Sequence, residues 1–276
     1  MASKMVWQCR DRALSYGENV LVMGIVNITP DSFSDGGDFA AAGLAAARVR
    51  EFAAMGVDIV DLGGQSTRPG AVPVTPQAEW LRLKGVLEHL QGFEGAVLSV
   101  DTYFPEVAET ALQNGVHIIN DVSGKVNPKM AAVVQKYGAG WIIMHSTGEK
   151  ENIIEDVRTF FARAASQAQA LGVKKECLCF DMGIGFGKTR EEDLALIANV
   201  PAYKPAGYPL LFAASRKRVI GYASGEPEPK KRTPGNIAAD TAAILGGADM
   251  VRLHDPAGQM AGVRMAGEIR KRVQRR

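Results

Sequence analysis

Cysteine, histidine and excess charge are all scarce in this chain, and each shortage excludes something. Cys9, Cys177 and Cys179 are the only cysteines in 276 residues, an odd number too small for a disulfide framework, which predicts a reducing compartment. Cys177 and Cys179 alternate along an apolar run and so face one side of a strand, as core residues do, with no metal-ligand spacing around them. The four histidines are dispersed and the first apolar run carries no His-x-His, which makes a metallohydrolase a poor fit. Lysine plus arginine number 32 against 30 acids, a net charge of +2, so no broad nucleic-acid-binding surface is expected and any anion site must be local. No apolar run has the length needed to cross a bilayer, and the opening MASKMVWQCRDRALSYGENV lacks the apolar region of a signal peptide. Together these predict a cytoplasmic protein.

What the chain does have is a series of short apolar runs, each ending in a polar or glycine-rich cluster: VMGIVN, DIVDLGG, VLSVDT, HIINDVSG, WIIMHS, CLCFDMG, LLFAAS and MVRLHD. Runs rich in Val, Ile and Leu suit strands covered on both faces, and helical patterns between them supply the crossovers that parallel strands require. Strands are predicted near Val20–Asn27, Val57–Leu62, 97–101, 117–121, 141–145, 177–181, 210–214 and 250–254. Helices are predicted near Ala40–Met55, after Thr75, and at 105–114, 128–137, 151–171, 190–199, 234–246 and 256–273. The pattern is α/β and predicts a single (β/α)8 barrel domain over 1–276, the barrel proper at about 20–273. Residues 6–19 alternate weakly, which predicts a small hairpin plugging the bottom. In such a barrel the C-terminal strand ends carry the site, so Asn27, Asp61, Asp101, Asn120, His145, Asp181, Ser215 and His254 should converge.

Two segments, ITPDSFSDGGDF and GGQSTRPGAVPVTP, are too rich in glycine and proline for a helix or strand interior, and loops of such length are usually functional or disordered. GIGFGKT superficially resembles a phosphate loop, but a Walker motif needs glycine where Met182 stands. The basic GEIRKRVQRR is read as a solvated helix end opposing the helix dipole. Carboxylates and an amide at Asp101, Asn120 and Asp181 suit a flat heterocycle with N–H donors; the alternative is that each acid caps a neighbouring helix. Arg68, Lys217, Arg252 and His254 form a cationic group. Arg252 and His254, two apart on a strand, point the same way and can grip one anion. Asn27 offers an amide oxygen for Mg2+, which keeps its waters and bridges phosphate oxygens. Surface salt bridges would explain the cations otherwise, and Lys217 beside Arg216 and Arg218 leaves a Schiff-base aldolase open.

The stretches MGIVNITPDSFSDGG, DLGGQSTRPGA, SVDTY, INDVSG, DMGIGFGKT, ASRKRVIG and VRLHDP, in this order over almost the whole chain, resemble the dihydropteroate synthase family. The resemblance implies condensation of 4-aminobenzoate with a dihydropterin-methyl diphosphate, releasing diphosphate, in folate biosynthesis. It implies pterin contacts at Asp101, Asn120, Met144, Asp181, Phe186, Lys217 and Arg252, and an aminobenzoate side at Phe33, Thr67, Arg68, Pro69 and Ser215. Diphosphate falls to Asn27, Arg68, Arg252 and His254, with Mg2+ at Asn27, and Asp101, Lys217, Arg252 and His254 are the catalytic set. A homodimer is also implied. Gln65 and Met182 depart from the family's usual Glu and Pro, which predicts altered loop closure and a looser backbone after Asp181. The different-class alternative is a pterin-binding barrel without synthase activity, or a methyltransferase domain that presents a methyl-pterin to a corrinoid partner; STRPG and SRK argue against it, having no clear role in methyl transfer. With the pterin acids on strand ends and the aminobenzoate contacts on loops, pterin diphosphate is expected to bind first.

Overall fold

The computed structural model describes residues 5–28, 37–65, 74–146 and 151–273. The sequence expectations for Phe33, Thr67, Arg68 and Pro69, and for most of both long loops, lie outside the described residues.

An antiparallel hairpin of β1 (Met5–Cys9) and β2 (Arg12–Tyr16) precedes an alternation of strands and helices. In order these are β3 (Leu21–Asn27), α1 (Gly37–Ala54), β4 (Ile59–Gly63), α2 (Pro76–His89), β5 (Val97–Asp101), α3 (Pro105–Gln113), β6 (Ile118–Asp121), α4 (Pro128–Tyr137), β7 (Gly140–Met144) and α5 (Ile153–Ala170). They continue with β8 (Leu178–Asp181), α6 (Arg190–Ala198), α7 (Val200–Tyr203), β9 (Leu210–Phe212), α8 (Arg218–Ser224), α9 (Thr233–Gly246), β10 (Met250–Leu253) and α10 (Pro256–Val273). Strands β3 to β10 pair in parallel and close, β10 against β3, into an eight-stranded barrel. The expected (β/α)8 architecture and the hairpin are both present.

Side chains alternate across a strand, so each barrel strand serves two cores at once. Outward residues such as Val60, Val100, Ile119, Ile143, Phe180, Phe212 and Val251 pack under the helices in the larger core. Inward residues Leu21, Met23, Ile59, Val97, Ile118, Ile142, Cys179, Leu211 and Met250 pack with Trp7, Cys9 and Tyr16 of the hairpin, which closes the N-terminal end. The Trp7 indole donates to Cys177 O at 3.0 Å, and Arg10 donates to Leu112 O and Val116 O, both at 2.7 Å, fixing the plug to the barrel floor. All three cysteines are free and buried, as core residues.

Helix starts follow local chemistry. Thr75 caps α2 by accepting from Ala78 N at 3.2 Å, while Thr189 and Glu192 form a full capping box on α6. The structure departs from the sequence reading in several places. A 3-10 turn at Lys175–Cys177 delays β8, and α7 and α8, each shorter than eight residues, follow runs too brief to show a helical period. The last turn of α10 is not uniformly solvated: Lys271 and Arg272 pair with Glu268, but Arg270 is buried and donates to Ala248 O at 2.5 Å. Among the described residues no helix is long and apolar enough to cross a membrane.

Candidate active site

One inward position beyond the apolar plug, the same strands turn polar. Ile59 gives way to Asp61, Val97 to Ser99 and then Asp101, Ile118 to Asn120, Cys179 to Asp181, and Met250 to Arg252. Register sets neighbours side by side: Asp61 stands against Ser99, Asp101 against Asn120, and Met144 against Asp181.

Asp61 is the hub of this layer. Its Oδ2 accepts from Arg252 Nε at 2.8 Å, Arg252 Nη2 at 2.7 Å and Asn120 Nδ2 at 2.9 Å, and its Oδ1 accepts from Ser99 Oγ at 2.6 Å. Arg252 Nη2 also donates to Asp101 Oδ2 at 3.1 Å. The carboxylate of Asp61 is wholly buried and its demand for donors is met within the chain. Asp101 and Asn120 differ: Asp101 Oδ1 and Asn120 Oδ1 are buried acceptors with no partner among the described residues. Two adjacent acceptors left open in a desolvated mouth call for a ligand that brings N–H donors, since leaving them unmade is costly.

Beside them, Asp181 Oδ1 accepts from Gly183 N at 2.7 Å. Lys217 Nζ donates to Ile184 O at 2.6 Å and lies 4.6 Å from the centroid of the Phe186 ring. The Ser215 hydroxyl accepts from His254 N at 3.1 Å and sits 3.2 Å from its Nδ1, so these two residues join the loops after β9 and β10. Arg216, between Ser215 and Lys217, adopts φ +60° and is held by α9 and the turn before it: its N–H donates to Asn236 Oδ1 at 3.1 Å and its carbonyl accepts from Arg232 Nη1 at 2.9 Å. The basic SRKR run is therefore a fixed turn rather than a solvated one, although Arg218 itself is exposed.

Electrostatics follow burial. Burial raises the Asp101 carboxyl to about 7, with Asp61 adding and Arg252 and Lys217 opposing. Burial also raises Asp181, against Lys217 and the Gly183 N–H. Burial lowers Lys217 to about 8, against Asp181. At Arg252 burial disfavours the charge, but Asp61 and Asp101 outweigh it and the pKa rises.

One sequence expectation needs correction. His145 does not converge with the strand-end acids: it is buried with Nε2 at 2.8 Å from Asp156 Oδ2 and its ring edge-on to Phe160, both on α5. Met182, where the family usually has Pro, follows Asp181 at the end of β8. It is fully buried beneath Tyr203, whose hydroxyl lies 3.0 Å from its sulfur, and the next residue is tied to Asp181. Gln65 is buried at the root of the second long loop, where its Oε1 accepts from Tyr103 at 3.3 Å. Asn27 ends β3 opposite Gly63; a Cβ on that glycine would stand 3.3 Å from Asn27 Oδ1, so glycine keeps the space beside the amide oxygen open. Among the described residues no group of His, Cys, Asp and Glu could hold a metal by itself.

Comparison with known proteins agrees with this geometry. Residues 23–254 match the protein family described as "Pterin binding enzyme". A dihydropteroate synthase from Synechocystis sp. is 40% identical over 250 residues, 87% of this chain and 86% of that protein. The chain belongs to the dihydropteroate synthase family. Among solved structures of the family, the Xanthomonas albilineans enzyme with 4-aminobenzoic acid superposes with a TM-score of 0.91 at 34% identity, covering 97% of this chain and 98% of that one. The Burkholderia cenocepacia enzyme complexed with 7,8-dihydropteroate superposes with a TM-score of 0.88 at 33% identity and 99% coverage of both chains.

The residue that sequence reasoning undervalued is Asp61. The strand-end pattern places it in the mouth without assigning it a role, although an acid in the middle of the apolar run DIVDLGG is a signal of an internal charge partner.

Proposed function

We propose that this chain carries out the family's reaction, joining (7,8-dihydropterin-6-yl)methyl diphosphate to 4-aminobenzoate to give 7,8-dihydropteroate and diphosphate. The observation that carries this reading is the adjacent pair of buried acceptors without partners among the described residues, Asp101 Oδ1 and Asn120 Oδ1, beside the Arg252 guanidinium at the barrel mouth. Asp101, Asn120 and Asp181 accept hydrogen bonds from the pterin amino and ring N–H groups, Met144 and Phe186 line the ring, and Lys217 and Arg252 complete that half. Ser215, with Phe33, Thr67, Arg68 and Pro69, serves aminobenzoate. Asn27, Arg68, Arg252 and His254 serve the diphosphate.

The bond between the pterin methylene and the diphosphate oxygen breaks, and the oxygen leaves with the electron pair. The electron-rich pterin spreads the resulting positive charge. Carboxylates at Asp101 and Asp181 face that charge, while Arg252 and His254 face the departing anion, so the site stabilises both ends of a separated pair. The aminobenzoate nitrogen then attacks the methylene and loses a proton. Lys217 acts by its charge and forms no covalent bond. Asn27 Oδ1 fits Mg2+ as a single point of attachment, because Mg2+ takes most of its ligands from water and phosphate oxygens, and there it would neutralise the leaving group. Met265, Ile269 and Val273, exposed at four-residue spacing on α10, support a homodimer, and the scarcity of cysteine supports the cytoplasm.

The test is diphosphate release with each substrate alone and with both. Release only with both, together with formation of dihydropteroate, is expected. Pterin binding without release would reduce the protein to a pterin-binding barrel. Borohydride added with substrates should leave the protein mass unchanged; an adduct trapped at Lys217 would favour the aldolase reading.

A further inference from the structure

The GIGFGKT run is no phosphate loop, and the proposed reaction gives its lysine nothing to do. Lys188 Nζ donates to three backbone carbonyls, Gly183 O at 2.9 Å and His145 O and Phe186 O at 3.2 Å each. An ammonium has three N–H donors, and all are used. The carbonyls come from the segments that follow β7 and β8, so one cation ties two strand ends together. The chain makes room for it. Gly183 has φ +68°, and a Cβ there would stand 1.8 Å from His145 O and 3.2 Å from Lys188 Nζ.

The tied segment is the turn that sets the pterin half. Gly183 N donates to Asp181 Oδ1, Phe186 N donates to Gly183 O at 3.1 Å, and Gly185 N donates to Asp193 Oδ1 at 2.8 Å. Lys217 holds the same turn through Ile184 O. The turn at 183–186 therefore lies between two lysines, Lys217 at the Phe186 ring and Lys188 on the carbonyls of residues 183 and 186. We propose that Lys188 is a positioning residue for pterin binding: its ammonium fixes the turn that aims the Asp181 carboxylate and the Phe186 ring. This rests on the reading of Asp181 and Phe186 as pterin contacts. A guanidinium spreads its donors over a longer planar group and cannot place them at the single point where this ammonium sits, and a thioether removes the lysine donor from all three, leaving Gly183 O with Phe186 N alone.

The test compares Lys188→Met, Lys188→Arg, Lys204→Met and Asp181→Asn by calorimetric binding of a dihydropterin lacking diphosphate, by steady-state kinetics and by thermal unfolding. Lys204 is a matched control, since its ammonium likewise donates to a carbonyl, Gly247 O at 2.6 Å, and pairs with Asp249, both just before β10 at the opposite end of the barrel from the site. Lys188→Met should weaken pterin binding about tenfold, the scale of one lost charged hydrogen bond. KM for the pterin diphosphate should rise in parallel, with kcat changed less than about threefold because the leaving-group contacts are intact. Lys204→Met should lower the unfolding temperature and leave pterin affinity alone. Should Lys188→Met fail to fold, Lys188→Arg carries the test and should also weaken pterin binding several-fold. Unchanged pterin affinity in a folded Lys188 variant, with only a lower unfolding temperature, overturns the proposal. If Asp181→Asn also leaves pterin affinity unchanged, the pterin reading fails with it; if Asp181→Asn weakens binding, only the role of Lys188 falls.

Discussion

Along five of the eight barrel strands, one step of the inward pattern separates an apolar plug from a polar and charged mouth. Ile59, Val97, Ile118, Ile142, Cys179 and Met250 meet Trp7 and Cys9 of the hairpin, and their burial needs no partner chemistry. Asp61, Ser99, Asn120, Asp181 and Arg252 stand two residues later, where each group must find a donor or acceptor to offset its desolvation. Ser99, Asn120 Nδ2 and Arg252 do so through Asp61, and Asp181 through Gly183 N, but among the described residues Asn120 Oδ1, and Asp101 Oδ1 one step further along β5, do not. The lower layer stabilises the barrel, which lets the upper layer keep acceptors open for a ligand. Stability and binding are thus assigned to different rungs of one strand.

Arg252→Met should breach this division most severely. It leaves the buried Asp61 without its cation, which is expected to cost about 3–5 kcal/mol of stability, and dihydropteroate formation should fall below detection. Urea unfolding and a product assay check both; a variant that stays fully stable would mean Asp61 is not held by that pair. A milder pair of substitutions sharpens the comparison. Ile142→Ala in the plug should lower unfolding free energy by about 2–5 kcal/mol with pterin affinity unchanged. Asp181→Asn in the mouth should weaken pterin binding by about 2–3 kcal/mol, measured by calorimetry, with stability unchanged or higher, since a carboxylate raised by burial becomes neutral. If each variant lost both properties, the two rungs would not be separable.

Titration probes the upper layer alone. Burial, with Asp61 adding, raises Asp101 to about 7, and burial lowers Lys217 to about 8. Asp101 must be ionised to accept fully, so pterin affinity should rise with pH through the first value. Lys217 must be protonated to carry charge, so affinity should fall above the second. The bell is shared by interacting groups, and its limbs belong to the pair. Calorimetry across pH should show each substitution displacing both limbs, Asp101→Asn chiefly the acid one and Lys217→Met chiefly the alkaline one. A flat wild-type profile would refute this.

Much of this was legible in the sequence. Apolar runs that break into polar ends gave the barrel and the hairpin below it, because strand alternation and the end of each run are local signals. The same local signals put Asp101, Asn120, Asp181 and Arg252 on the C-terminal halves of their strands, Ser215 and His254 just past theirs, and Lys217 in the turn after β9. What escaped was set by distance along the chain. Asp61 meets Arg252 across 191 positions, and nothing local in DIVDLGG names that partner. Lys188 and Arg232 act on carbonyls, which every residue has, so no residue type flags them. His145 was misplaced because a residue just past a strand end can turn outward to a helix, and Asp156 draws it there.

Outside the barrel, Asp240 offers a buried acid with no ligand to serve. It lies on α9, 2% exposed, accepting from Gln259 Nε2 of α10 at 3.0 Å, while Gln259 Oε1 has no partner among the described residues. Burial, only partly opposed by that bond, raises its carboxyl to about 7. Its folded pKa thus lies above the unfolded one, so between about pH 4 and 7 the folded protein holds a proton that the unfolded chain releases. The contribution to stability is fully present at the acid end of that window and is lost as pH rises through it. Asp240→Asn removes the titration and supplies an N–H for Gln259 Oε1. It should therefore add about 1–4 kcal/mol at pH 8, add nothing near pH 4, and leave the pH profile of pterin affinity as it was. Urea unfolding at both pH values reads the first two, and calorimetry the third. A variant equally stabilised at both pH values would show that packing against Gln259, not the proton, sets the gain.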